Sequence, residues 1–248
     1  MKFGIDLGSR KIKIVRYNNG KLSHFKMLDT AKFYKKFNKA PMQKILNCLG
    51  AAKKSDVTAT GYGRHLLKIR GLNSISELFA HAAGAAYQTG LSSFILLDIG
   101  AQDCKVIHFD NGRIINFLTN DKCAASTGRF LENMAKCLGI SIEELFRHYK
   151  NPVKISSTCA IFTESEIIGK ISEGCKISEL CAGINYAVYD KIIPLLNQFK
   201  ADTIVMTGGG SLNPALKKII EKNTTSKIIV PPYAQFTGAI GCCLFKES

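Results

Sequence analysis

Two stretches of the chain carry the same order of apolar and polar positions. Ile5 to Leu22 reads IDLGSRKIKIVRYNNGKL, and Leu97 to Ile114 reads LDIGAQDCKVIHFDNGRI, an offset of 92 residues. Asp6, Gly8, Lys13, Asn19 and Gly20 fall on Asp98, Gly100, Lys105, Asn111 and Gly112, and the apolar positions between them match in kind. Each copy predicts a three-stranded meander. An apolar strand runs into Asp-x-Gly, a second strand alternates apolar with polar (Ile12 and Ile14 in one copy, Val106 in the other), and Asn-Gly supplies a hairpin turn of positive φ.

After each meander the pattern lengthens toward a helical period. In the first half it predicts a helix over Met42 to Lys53, a strand over Val57 to Thr60 and a helix over Ile75 to Gln88. A strand over Phe94 to Leu97 opens the second half. There Phe130, Leu131, Met134, Ala135 and Leu138 keep helical spacing up to Gly139, and Ile161, Phe162, Ile167, Ile168 and Ile171 do so up to Gly174. Thr203 to Gly210, TIVMTGGG, predicts a strand ending in glycines, followed by Asn213-Pro214 and a helix over Ala215 to Glu221. The expected architecture is therefore two similar α/β halves, residues 1–91 and 92–248, divided where Thr89-Gly90 and Ser92-Ser93 interrupt the pattern.

Composition narrows this picture. The chain has 248 residues, of which 46% are hydrophobic, and this excludes a disordered polymer. A formal charge of +15 favours anionic partners, or is simply a solvated basic face. With no Trp and no basic run interleaved with aromatics, nucleic acid is not an expected partner. No apolar run approaches the roughly 18 residues of a membrane span. Asp6 also breaks the apolar start too early for a secretory signal, so a cytoplasmic chain with no membrane association is expected. Its nine cysteines are then reduced: small buried hydrophobes, metal ligands or reactive thiols, with no CxxC pair among them.

An Asp-x-Gly turn at the end of a buried strand brings one carboxylate and several backbone N–H groups to one spot. Glycine permits close approach of a phosphate, and the carboxylate can hold a hydrated Mg²⁺ bridging phosphate oxygens. Two such turns facing each other across a cleft would clamp a nucleoside triphosphate, with Thr207-Gly208-Gly209-Gly210 as a third close-approach element. Neither the Walker pattern nor GxGxxG is present.

The set DLGS at 6–9, DIGAQD at 98–103 and TGGG at 207–210 resembles the two phosphate loops and the adenosine loop of the actin, Hsp70 and sugar-kinase ATPases. More narrowly, NDKCAASTGRFLE (Asn120 to Glu132), SSTCAIFTESEI (Ser156 to Ile167), SELFAHAAGA and PPYAQFTGAIGCCL resemble the ATP-dependent activators of 2-hydroxyacyl-CoA dehydratases and benzoyl-CoA reductases. The resemblance implies two actin-like lobes with ATP or ADP in the cleft between them. Gly8, Ser9, Gly100, Ala101 and Gln102 would hold the phosphates, Asp6 and Asp98 would orient Mg²⁺, and Gly208, Gly209 and Gly210 would line the adenosine. Gln102 or Asp103 would position the attacking water. The chain departs from the family pattern at Arg10-Lys11-Ile12, where a Thr-rich stretch is common, at Ala101 and Ser126, where glycine is usual, and at Cys104, where Ser is.

Two cysteines stand apart from the rest. Cys123 and Cys159 each precede a helical pattern, and a helix N-terminus lowers a thiol's pKa. On spacing they are either buried structural thiols or half of the four ligands that a four-iron cluster takes, the other half coming from a two-fold partner. The family resemblance implies the second: one 4Fe-4S cluster shared by a homodimer, reduced by a low-potential donor such as ferredoxin or flavodoxin and oxidised by an acceptor iron–sulfur protein, to which a basic face would steer. Cys137, Cys175 and Cys181, on helical patterns, and Cys242-Cys243, in a short apolar helix, are expected to pack; His81 is expected to pack at the interface of the halves. A small-molecule kinase of the same fold and a nucleotide-sensing partner without redox chemistry are the rival readings.

Overall fold

In a computed structural model the described residues are 1–37, 40–63, 72–120, 127–156 and 159–245. They form a mixed α/β protein with two five-stranded sheets. The chain divides into two compact units. One comprises Met1–Ser92, Asn111–Ile114 and Pro231–Ser248, and the other Ser93–Asp110 and Ile115–Val230.

The first unit opens with β1 (Lys2–Leu7), β2 (Lys11–Asn18) and β3 (Lys21–Asp29), an antiparallel meander in which Asp6 lies opposite Lys13. Asn19 and Gly20 join β2 to β3 with φ of 47° and 80°; both are positive, as a two-residue turn matching the twist of the strands requires. Helices α1 (Thr30–Phe37) and α2 (Met42–Leu49) follow, then β4 (Val57–Thr60), parallel to β1, and β5 (Asn73–Ser74). The order is β3-β2-β1-β4-β5. Helix α2 stops short of the Lys53 that the periodicity predicts, because Gly50 turns left-handed and returns its N–H to Asn47 O. Helix α3 (Glu77–Thr89) starts where Ser76 Oγ accepts the Phe79 N–H. The closing helix Thr237–Leu244 packs on β1 and α3 at backbone contact. A methyl group added at Gly4 would lie 1.8 Å from Ala239 O, and one at Gly241 1.8 Å from Ala80 O. His81, buried in α3, lies beneath Gly238 inside this unit.

The meander recurs as β6 (Ser93–Ile99), β7 (Cys104–Asp110) and β8 (Arg113–Asn120), all in the second unit except the turn and first β8 residues, Asn111–Ile114. Asn111 and Gly112 again have positive φ, 46° and 82°. Helices α4 (Gly128–Cys137), α5 (Ile142–Leu145), α6 (Ala160–Ser172) and α7 (Ile177–Leu196) follow. Then β9 (Thr203–Thr207) runs parallel to β6, ahead of α8 (Pro214–Asn223) and β10 (Lys227–Ile229). The order is β10-β9-β6-β7-β8. Leu97, Val106, Phe130, Met134 and Ile184 are among the core residues that seat helices on this sheet. Cys104 and Cys181 are buried in β7 and α7, and Cys242 and Cys243 in the closing helix. Cys175 departs from expectation, lying in the link between α6 and α7 because Gly174 has already turned left-handed. Among the described residues no helix is long and apolar enough to cross a membrane.

Candidate functional site

The first Asp-x-Gly turn joins β1 to β2. Asp6 is buried, and Lys13 Nζ lies 2.9 Å from its Oδ2. Gly8 O accepts the hydroxyl of Thr30, the first residue of α1, at 2.8 Å. A side chain at Gly8 has no room: its first carbon would lie 2.8 Å from Lys11 O and 3.2 Å from the Lys13 ammonium. The glycine thus lets the turn close on itself and seats a cation directly against it. Ser9 is half-buried in the bend.

The second turn has the same frame with a different ion pair. Lys105, the counterpart of Lys13, reaches Asp103 Oδ2 at 2.5 Å; the lysine side chain is 7% exposed and the carboxylate 33%. Gly100 donates its N–H to Asp103 O at 2.9 Å, and a methyl at Gly100 would lie 2.6 Å from Asp103 Oδ1. Asp98 is buried and accepts the Thr207 hydroxyl at 2.8 Å. Ala101 is half-buried and Gln102 exposed.

The glycine loop packs onto the end of β6. Gly208 has φ 78° and ψ −175°, a region that side chains avoid, and a methyl there would lie 2.4 Å from Ile99 O. A methyl at Gly210 would meet Ile99 Cγ2 at 2.3 Å. Gly209 is exposed and begins the single tight turn Gly209–Leu212. Asn213 Oδ1 caps α8 by accepting the Leu216 N–H, and its Nδ2 donates to Asn185 Oδ1 at 2.8 Å. Asn185 Nδ2 in turn donates to Leu145 O and His148 O. Two fully buried amides therefore fix the loop to α5 and α7.

Cys159 occupies the N-cap of α6 with an extended backbone (φ −100°, ψ 135°), and its carbonyl accepts the Thr163 N–H and hydroxyl. Its thiol is half-buried. Ile167 of the same helix is buried, whereas Ile161 is 73% and Phe162 68% exposed, with Ile168 beside them. The helical spacing is as expected, but most of the apolar face looks outward. Cys123 lies outside the described residues, yet the helix that follows it is tied to the second turn: Gly128 N–H donates to Gly100 O at 2.9 Å and Arg129 N–H to Ala101 O at 3.1 Å. The carbonyls of the turn thus satisfy N–H groups that a helix start leaves open. Among the described residues no three His, Cys, Asp or Glu side chains gather to hold a metal ion.

Several of these partners escaped the sequence reading. Lys13 and Lys105 were visible as a matched pair in the repeat, but nothing in the pattern assigned them to carboxylates. Asn185, a lone amide in an apolar helix, was the signal for the second network; Thr207 carried no signal beyond its place before the glycines.

A family model matches residues 3–246, described as that of the BadF/BadG/BcrA/BcrD ATPases. The chain belongs to the BadF/BadG/BcrA/BcrD ATPase family. Among its relatives in this family, the (R)-2-hydroxyglutaryl-CoA dehydratase activating ATPase of Acidaminococcus fermentans is 38% identical over 251 residues, spanning 98% of this chain and 95% of its own. The solved structure of the activator of the 2-hydroxyisocaproyl-CoA dehydratase from Clostridium difficile, with bound ADPNP, superposes with a TM-score of 0.85 at 36% identity, covering 98% of this chain and 92% of that one. The ethanolamine utilization protein EutJ from Carboxydothermus hydrogenoformans shares the fold alone, with a TM-score of 0.55 at 15% identity. Homologues of this BadF/BadG/BcrA/BcrD ATPase are thus activators of 2-hydroxyacyl-CoA dehydratases.

Proposed function

We propose that this family member hydrolyses ATP to gate the delivery of a low-potential electron to a partner iron–sulfur enzyme, such as a 2-hydroxyacyl-CoA dehydratase or a benzoyl-CoA reductase. The observation that carries the reading is the pair of hydrogen bonds from Gly128 and Arg129 to the carbonyls of Gly100 and Ala101. Through them, any change of the second turn is passed to the helix that follows Cys123.

In this reading Gly8, Ser9, Gly100, Ala101 and Gln102 receive the phosphates, and Gly208, Gly209 and Gly210 the adenosine. Asp6 and Asp98 would hold a hydrated Mg²⁺, a role that suits two buried carboxylates already oriented by Lys13 and Thr207. The Lys13 and Lys105 ammoniums supply positive charge where phosphate charge arrives. Gln102 or Asp103 positions the attacking water; Lys105 holds the Asp103 carboxylate in one orientation.

Cys123 and Cys159, doubled by a second copy, would hold one 4Fe-4S cluster per homodimer. Of these two, Cys159 has a place that suits a ligand: its thiol stands at a helix start, beside an apolar face that a second copy would cover. Such a cluster supplies one electron, taken from a ferredoxin- or flavodoxin-like donor and passed to the acceptor. The test is anaerobic purification with iron analysis, EPR after reduction and an ATPase assay. About four irons per dimer and an ATP-dependent transfer to an acceptor support the reading; iron-free, colourless protein after anaerobic reconstitution, with intact phosphoryl transfer to a small molecule, would replace it with a kinase.

A further inference from the structure

The positive charge of the chain is not spread over it. The first compact unit holds 19 Lys and Arg against 5 Asp and Glu, or +14, whereas the second holds 15 against 14, or +1. Within the first unit the longest stretch without a carboxylate lies between Asp29 and Asp56, and it carries seven lysines and no arginine. Its described residues include α1 and α2.

Elsewhere the chain balances its helices. In α8 Lys217 pairs with Glu221 one turn on at 3.0 Å, and next to α5 Arg147 pairs with Glu144 at 2.9 Å. Helix α1 instead places Lys32 three and four residues before Lys35 and Lys36, a like-charge arrangement that opposes the helix. Its one acidic aid is Asp29, whose carboxylate caps the helix by accepting the Lys32 N–H. Repulsion that a single Glu would relieve points to a use for the uncompensated charge.

The geometry supplies a seat for it. Between α1 and α2 lies an open concavity of about 660 Å³ lined by Ala31, the half-buried Tyr34 and Pro41 together with Lys35, Lys36 and Lys44, all three lysines exposed. Burial raises the pKa of the Tyr34 phenol, so that side chain stays neutral. We propose that this face docks an acidic segment of a partner protein, an apolar side chain entering the concavity with carboxylates on the lysines.

Three features favour protein carboxylates over other polyanions. Nucleic-acid sites rely on arginine forks and exposed aromatic platforms, whereas here the cations are lysines and Phe33 and Phe37 are buried. A helix lying on anionic lipid needs an outward apolar face, but α1 and α2 spend theirs on the core with Ile45, Leu46 and Leu49. Lysine, a hydrated point charge, suits the weak, rapidly formed encounters that opposite surface charge steers. The proposal is independent of the nucleotide and cluster reading.

The test uses the full-length protein and fluorescence anisotropy with four probes: a glutamate-rich peptide containing one leucine, the same peptide with alanine for leucine, a single-stranded DNA oligomer, and phosphatidylserine vesicles. The triple variant K35E/K36E/K44E is compared with K136E/K150E/K200E, which makes the same change of net charge at exposed positions of the second unit. The expected result is tightest binding of the leucine-containing peptide, weakened about tenfold or more by the first triple and less than about twofold by the second. Equal losses in both variants, no binding of either peptide, or tighter binding of DNA or vesicles overturns the proposal. Should the Glu triple lose its circular dichroism, K35Q/K36Q/K44Q replaces it under the same criteria.

Discussion

The Thr207 hydroxyl donates to Asp98 Oδ1 at 2.8 Å, a bond between two buried side chains at the facing ends of β9 and β6. Thr207→Val keeps the shape and removes the donor, leaving a buried carboxylate short of one partner. A loss of about 1–3 kcal/mol in urea denaturation is expected, with Thr207→Ser recovering most of it. If the Val variant matched wild type, the bond would not contribute to the placement of the glycine loop.

The unequal ion pairs of the two turns separate Gln102 from Asp103. Lys105 orients Asp103, whereas Gln102 is exposed. If Asp103 positions the water, Asp103→Asn lowers kcat for ATP hydrolysis about 100-fold with KM changed by less than about threefold, and Lys105→Met shows the same split more weakly. Gln102→Ala then has a minor effect. The reverse ranking in steady-state assays assigns the water to Gln102.

Much of this was legible in the sequence because it depends on local chemistry. Asn-Gly can hardly do other than turn with positive φ between alternating strands, so both meanders were predicted from Asn19-Gly20 and Asn111-Gly112. What was not legible depends on contacts distant along the chain. The packing of the closing helix on Gly4 and Gly84 needs three segments to meet at backbone distance, and no periodicity records that. In the sequence the glycines of the candidate site signal room for phosphate; in the structure Gly8, Gly100, Gly208 and Gly210 are also demanded by neighbouring protein atoms. A glycine signals close approach without saying of what.

The apolar face of α6 predicts an association that depends on it. Ile161 and Phe162 are among its most exposed residues. Replacing both with Asp in the double variant I161D/F162D leaves the helix intact, since neither side chain supports the core, and, if the protein forms the proposed homodimer, is expected to shift it to monomer in sedimentation. Retention of the dimer would move the interface elsewhere.

The link from the second turn to α4 can be cut without breaking the helix. Gly128 occupies the first helical position, where proline is tolerated, and Thr127 before it is already extended (φ −121°, ψ 167°), as a residue preceding proline must be. Gly128→Pro replaces the N–H that reaches Gly100 O with a ring carbon, so the bond is lost and the carbonyl is pushed aside. Helix content by circular dichroism is expected to hold and basal ATP hydrolysis to stay within about threefold, while the proposed ATP-dependent electron transfer falls about tenfold. Equal loss of both activities would mean that the bond supports the site and does not transmit its state.

Cys243 in the closing helix gives a pH test of the fold that needs no ligand. Burial raises its thiol from an ordinary 9.0 to about 12, and desolvation pushes Cys104 and Cys242 up as well. The folded state therefore favours the protonated thiols. The sign follows: their contribution to stability is complete below pH 9 and is lost as pH rises from 9 toward 12, where the unfolded chain ionises and the folded one resists. Urea midpoints are expected to be flat from pH 7 to about 8.5 and to fall beyond it, with a shallower fall in Cys243→Ala. In native protein at pH 8 a thiol reagent should leave Cys104, Cys242 and Cys243 unreacted until unfolding, whereas Cys159, half-buried at its helix start, reacts first among the described cysteines. Rapid modification of Cys243 in the folded protein would show that the closing helix opens readily and that its backbone contacts with β1 and α3 are weaker than their closeness implies.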